Sequence, residues 1–175
     1  APRGVPLPKW MPSIAAAPQS VVLVVDGLGW EQLQDRLVLA PNLAAMQATA
    51  ITTVAPSTTA TALTSISTGL TPGEHGLIGY RFDVGGDIMN VLRWHGESKD
   101  LRRSHPPADL QPFAPFLGES PPVITKAELQ GSGFTDEHLR GTRMAGWRGE
   151  YAIAVGTARP RRRGDGYGER THEAA

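Results

Sequence analysis

Cysteine is absent from the 175 residues. That excludes a disulfide framework and any thiolate metal site, and it fits either redox compartment. An excess of charge is absent too: 17 Lys and Arg balance 17 Asp and Glu. No global field therefore recruits a nucleic-acid polymer or an anionic membrane. No apolar run approaches the ~20 residues that span a bilayer, so no membrane span is expected. The first twenty residues, APRGVPLPKWMPSIAAAPQS, lack the charged region and long apolar core of a signal peptide. A cytoplasmic location is the resulting expectation. Two nucleotide-binding signatures are missing as well. DGLGWEQ carries Gln32 where the dinucleotide fingerprint needs its third glycine, and no Gly-Lys-Ser/Thr loop occurs.

What is present allows one domain with a real core: 40% of residues are hydrophobic, and 20 Gly with 15 Pro supply many turns. Residues 1–19 carry five prolines and read as an irregular lead-in. SVVLVV at 20–25 is a β-branched apolar run that suits a strand buried on both faces. GWEQLQDRLVL then places Trp30, Leu33 and Leu37 on one helical face, and PNLAAMQATA opens a second short helix at Pro41. AITTV at 50–54 predicts a second strand. TTATALTSISTG predicts a helix with Leu63, Ile66 and Leu70 on its apolar face and a stop at Gly69. Further strands are expected near 88–94, at 123–126 and at 150–155, with a short helix in FTDEHLRG. Strands alternating with helices argue for an α/β domain over 20–156, built on a mainly parallel sheet flanked by helices. Residues 157–175 are rich in Arg and Gly, contain no Leu, Ile, Val, Phe or Met, and read as a disordered tail.

Two stretches carry chemistry. VVDGLG at 24–29 ends an apolar run with Asp26, and Gly27 and Gly29 keep the turn free of side-chain bulk. At the carboxyl end of a strand in an open sheet, such a carboxylate can hold a divalent cation; it can equally cap the next helix. The second stretch, TTVAPSTTATALTSISTGLTPGEHGLIGY at 52–80, crowds hydroxyls around a helix start. The N–H groups and partial positive charge there favour a phosphate, and a hydroxyl so placed can attack phosphorus. Helix capping by Ser57 or Thr59 accounts for the same residue types.

Together, VVDGLG at 24–29, PSTT at 56–59 and STGLTPGEHG at 67–76 resemble the nucleotide pyrophosphatase/phosphodiesterase family of the alkaline phosphatase superfamily. The resemblance is close over about residues 20–80 and implies an alkaline-phosphatase-like α/β fold. It implies a two-metal centre, two zinc ions in an intact parent, with Asp26 as a ligand. It makes Thr59 both a metal ligand and the nucleophile, with Thr58 and Thr61 as rival hydroxyls. It implies a phosphate ester or nucleotide as the small-molecule partner. Where the family carries an Asn that holds a phosphate oxygen, Tyr80 stands here, and Arg81 beside it supplies charge; both are candidate substrate contacts. His75 reads as the support of a turn.

One departure is larger. The family draws further metal ligands from a later half, in an Asp-x-x-x-His pair, an Asp-His pair and a final His. His95, His105, His138 and His172 match neither spacing. The expectation is therefore a partial metal site in an N-terminal portion of such a hydrolase, weakly active or inactive as it stands. Self-association through uncovered sheet edge and apolar surface is also expected. Three other readings stay open. One is a phosphomonoesterase or sulfatase-like hydrolase of the same superfamily. The others are a non-catalytic anion-binding module and a fragment without a ligand.

Overall fold

The longest helix among the described residues begins where the hydroxyl run places it. In the computed structural model, which describes residues 20–148, helix α3 spans Thr59–Thr68. Thr58 holds an extended backbone at its N-cap, and Gly69 closes it in the left-handed region at φ 74°, where glycine has no Cβ to clash. Before α3 lie two short helices, α1 (Trp30–Gln34) and α2 (Pro41–Ala44), with a 3-10 turn at Leu37–Leu39 between them. After it comes α4 (Pro72–His75), with Pro72 in its first turn. The Glu74 carboxylate accepts from the Thr71 backbone N–H at 2.8 Å and the Thr71 hydroxyl at 2.7 Å, which fixes the entry to α4.

Strands β1 (Arg81–Val84) and β2 (Asp87–Asn90) form an antiparallel hairpin. Gly85 and Gly86 turn it with φ 63° and 94°, the pair of positive angles that a tight two-residue hairpin loop needs. Its two faces differ. Val84 and Met89 are buried with Val91 just beyond β2, while Arg81, Asp83 and Ile88 point out. Helix α5 (Pro107–Leu110) follows. The last ladder is parallel: β3 (Pro122–Lys126) pairs with β4 (Arg143–Trp147), and helix α6 (Gly133–His138) lies in the crossover between them.

The core is gathered around Trp94, Met89, Val91, Leu77, Leu101, Phe134 and Ala60. Trp94 is fully buried at φ 54°, and its indole N–H donates to the His105 carbonyl at 2.7 Å. A Cβ on Gly133 would stand 2.2 Å from the Trp94 Cβ, so only glycine lets α6 approach this closely.

Several expectations need correction. The mainly parallel sheet does not occur among the described residues, where two two-stranded sheets stand, one antiparallel and one parallel. SVVLVV at 20–25 is not a strand among the described residues; Val22 is 81% exposed there and no ladder of the described residues pairs the run. AITTV at 50–54 is likewise irregular. β-Branched composition favours a pleated, half-buried surface, and it produces a strand only where a neighbour supplies ladder bonds and cover. The helix at 30–37 stops at Gln34. The apolar face expected on α3 is also different: Leu63 packs on the core, but Ile66 is 52% exposed and the buried residues are Ala60, Thr61, Thr64, Ser67 and Thr68. The strands near 88–94 and 123–126 and the helix in FTDEHLRG are present as β2, β3 and α6. The strand expected at 150–155 and the tail at 157–175 lie outside the described residues.

Candidate functional site

The crowding of hydroxyls on α3 has a structural cause. Most of them satisfy one another or a buried partner. Thr58 accepts the Thr61 N–H at the N-cap, and their hydroxyls lie 2.9 Å apart. Ser67 and Thr68 both donate back to the Thr64 carbonyl, at 3.1 and 2.7 Å. Thr64 donates across to Glu137 Oε2 on α6 at 3.1 Å. Ser65 pairs with the buried His75 at 2.9 Å. The Leu77 N–H donates to His75 Nδ1 at 3.1 Å, so the imidazole carries its proton on Nε2 and donates it to Ser65. Burial holds the His75 pKa below its ordinary value, which keeps that neutral tautomer. His75 thus braces the turn after α4 against α3.

Thr59 differs from these neighbours. It is half-buried at the first position of α3, and its hydroxyl makes no hydrogen bond among the described residues. The first intrahelical bond runs from the Ala62 N–H to the Thr58 carbonyl. The N–H groups of Thr59 and Ala60 are therefore among the unpaired donors of the helix terminus. A free hydroxyl stands beside two free N–H donors and the positive end of the helix dipole.

Asp26 lies on the exposed turn after the apolar run, with Gly27 at φ 80° behind it. No hydrogen bond joins it to Thr59 among the described residues. Tyr80 and Arg81 enter β1. Sequence reasoning missed the partner of Tyr80: Asn90, across the hairpin, donates from Nδ2 to the Tyr80 hydroxyl at 2.6 Å. The pairing of Arg81 with Asn90 in the ladder creates that contact, and no linear spacing signals it. Two of the later histidines, His95 and His138, are held by structure. His95 bonds the Gly96 carbonyl through Nδ1 at 2.7 Å. His138 is buried, stacks on Phe134 at 4.2 Å between ring centroids, and donates from Nδ1 to the Phe134 carbonyl at 2.6 Å. Among the described residues no three His, Asp or Glu side chains come together as a metal site.

A family model described as type I phosphodiesterase / nucleotide pyrophosphatase matches residues 20–171. The chain belongs to that family. The match begins at the SVVLVV run and continues well past the last of the three motifs, which ends at Gly76. No curated protein and no solved structure gives a significant match. Membership supports a hydrolase of phosphodiesters or nucleotide pyrophosphates, with phosphate esters as the substrate class. The family is generally metal-dependent, so the donors of this chain decide whether it fits that chemistry. Asp26 and Thr59 offer one carboxylate and one neutral hydroxyl. A catalytic zinc takes about three protein ligands, so these residues do not fit a two-zinc centre.

Proposed function

We propose that the chain carries the nucleophile end of a phosphodiester or nucleotide-pyrophosphate hydrolase, with Thr59 as the attacking residue. One observation carries the reading. In the run from Thr58 to Thr68, Thr59 alone has a hydroxyl without a hydrogen bond among the described residues, while its neighbours are spent on the cap, the helix, His75 and Glu137. The Thr59 Oγ–P bond forms as the bond from phosphorus to the leaving oxygen breaks, and the hydroxyl proton ends on the departing group. The free N–H groups at the start of α3 stabilise the charge that develops on the other phosphoryl oxygens. Water then releases Thr59.

Asp26 is the carboxylate this chain offers to a divalent cation, and Tyr80 and Arg81 are its candidate substrate contacts. With so few donors, metal binds weakly and turnover is slow. The two-donor set also favours a second reading, anion binding at the α3 terminus without turnover.

The test is to incubate the chain with a chromogenic phosphodiester, quench it, and map phosphorylation by mass spectrometry. A phosphoryl adduct on Thr59, lost in Thr59→Ala and kept in Thr61→Ala, is the expected result. An adduct on another residue, or turnover indifferent to Thr59→Ala, refutes the reading. No adduct, with phosphate still bound, establishes the second one.

A further inference from the structure

Glu137 on α6 and Gln111, just after α5, are both fully buried. Helix α6 packs on α3 and on α5, and the Gln111 amide acts directly on the Glu137 carboxyl. Among the described residues, the buried side-chain atoms without a hydrogen-bond partner are Glu137 Oε1, Gln111 Oε1 and Gln111 Nε2. All three belong to this one pair. Away from water such atoms are costly, and a native core rarely leaves them unpaired.

The surroundings leave each side chain only the other. Helix α3 carries no titratable group; its Thr64 hydroxyl is spent on Glu137 Oε2 at 3.1 Å, and Ser67 and Thr68 donate to the Thr64 carbonyl. On α5, Asp109 is exposed. On α6 itself, His138 bonds the Phe134 carbonyl, and Asp136 acts on Arg102 outside the core. Beside Trp94, which packs on Gly133, Arg93 is exposed and His95 bonds the Gly96 carbonyl. Arg140 is the charge that reaches the carboxyl, but its guanidinium donates to the Glu137 and Phe113 carbonyls. Gln111 alone is left to answer the proton. A carboxylate only accepts, a carboxylic acid also donates, and an amide does each at a different atom. Ionised, Glu137 Oε1 takes a hydrogen bond from Gln111 Nε2. Protonated, its O–H donates instead to Gln111 Oε1. One orientation of the amide cannot make both bonds.

We infer that Gln111 is a protonation-dependent latch on Glu137: its planar amide reverses when the carboxyl gains or loses its proton, while Thr64 stays on Oε2. The tie between α5 and α6 then changes character as α3 keeps its own. Burial pushes the carboxyl up to about 7, so the exchange falls near neutral pH, well clear of His138 at about 4. The experiment is an NMR titration of the 175-residue chain, following Glu137 Cδ and the Gln111 side-chain amide. Both should titrate with one midpoint near 7. Nuclear Overhauser contacts from the Nε2 protons to the Glu137 γ protons should be strong above the midpoint and weak below it. In Glu137→Gln the Gln111 signals should no longer titrate; in His138→Asn they should titrate as before. Gln111→Met should move the Glu137 midpoint up by roughly half a unit or more, because a bond to the anion outweighs a neutral one. Backbone amide spectra confirm that each variant keeps the fold, and the parent chain alone decides the contacts. Gln111 signals that ignore pH overturn the latch. So do signals that titrate while the contacts stay constant, which report only a nearby charge, and a Glu137 midpoint unmoved in Gln111→Met.

Discussion

Glu137 carries a burial cost in the core, and its neighbour hides that cost. Its carboxyl is fully buried on α6, with one hydrogen bond, from Thr64. Oε1 has no partner, and neither amide atom of Gln111 has one either. Burial pushes the Glu137 pKa from its ordinary 4.5 up to about 7. The Thr64 hydroxyl, the nearby Gln111 amide and the Arg140 charge pull only partly against it. His138 is shifted the other way, from 6.5 down to about 4, because burial disfavours its cation. The signs follow from proton binding. Between pH 4.5 and 7 the folded chain keeps a proton on Glu137 that the unfolded chain has released, so stability falls as pH rises. Between pH 4 and 6.5 the unfolded chain protonates His138 and the folded chain does not, so stability rises with pH. Each slope is about 1.4 kcal/mol per pH unit, and where the windows overlap they cancel. Integrated over its window, each group costs about 3 kcal/mol. Glu137→Gln keeps an acceptor for Thr64 and removes the charge. It should stabilise the protein by about 3 kcal/mol at pH 8 and by almost nothing at pH 4. Relative to the parent, its stability should rise with pH from 4.5 to 7. His138→Asn should show the reverse, a gain at pH 4 that fades by pH 6.5. Urea denaturation at half-unit steps from pH 4 to 8 reads both differences, and exposed carboxylates such as Asp100 cancel in the comparison. A Glu137→Gln difference that is flat with pH refutes the reasoning.

Thr64→Val strands the buried Glu137 carboxyl and should cost about 1–3 kcal/mol at pH 8, but less at pH 5, where the carboxyl is neutral; denaturant midpoints at the two pH values check it. Gly133→Ala drives a Cβ to within 2.2 Å of the Trp94 Cβ. Overpacking of this kind costs about 1–3 kcal/mol, a fall in Tm of roughly 2–12 °C that calorimetry will register; an unchanged Tm would show that α6 can back away from Trp94.

Residues a few places apart were enough for the family motifs and for the punctuation of α3: Pro-Ser-Thr-Thr set its start and Gly69 its end, because caps and left-handed stops are local. The three motifs likewise pointed to the family, and β2, β3 and α6 were legible as short runs bounded by turn residues. Tertiary structure decided the rest. SVVLVV reads as a buried strand, yet its apolar side chains are exposed, since pairing and cover come from other segments and not from the run. The periodicity of α3 placed Ile66 inward, yet the buried face is a row of hydroxyls. That face is tolerable only because Glu137, 73 residues downstream of Thr64, accepts one of its protons. The Asn90–Tyr80 contact arises from strand register. Register joins residues that the chain keeps apart, so a linear reading finds a site's reactive residues more readily than the side chains gathered around them.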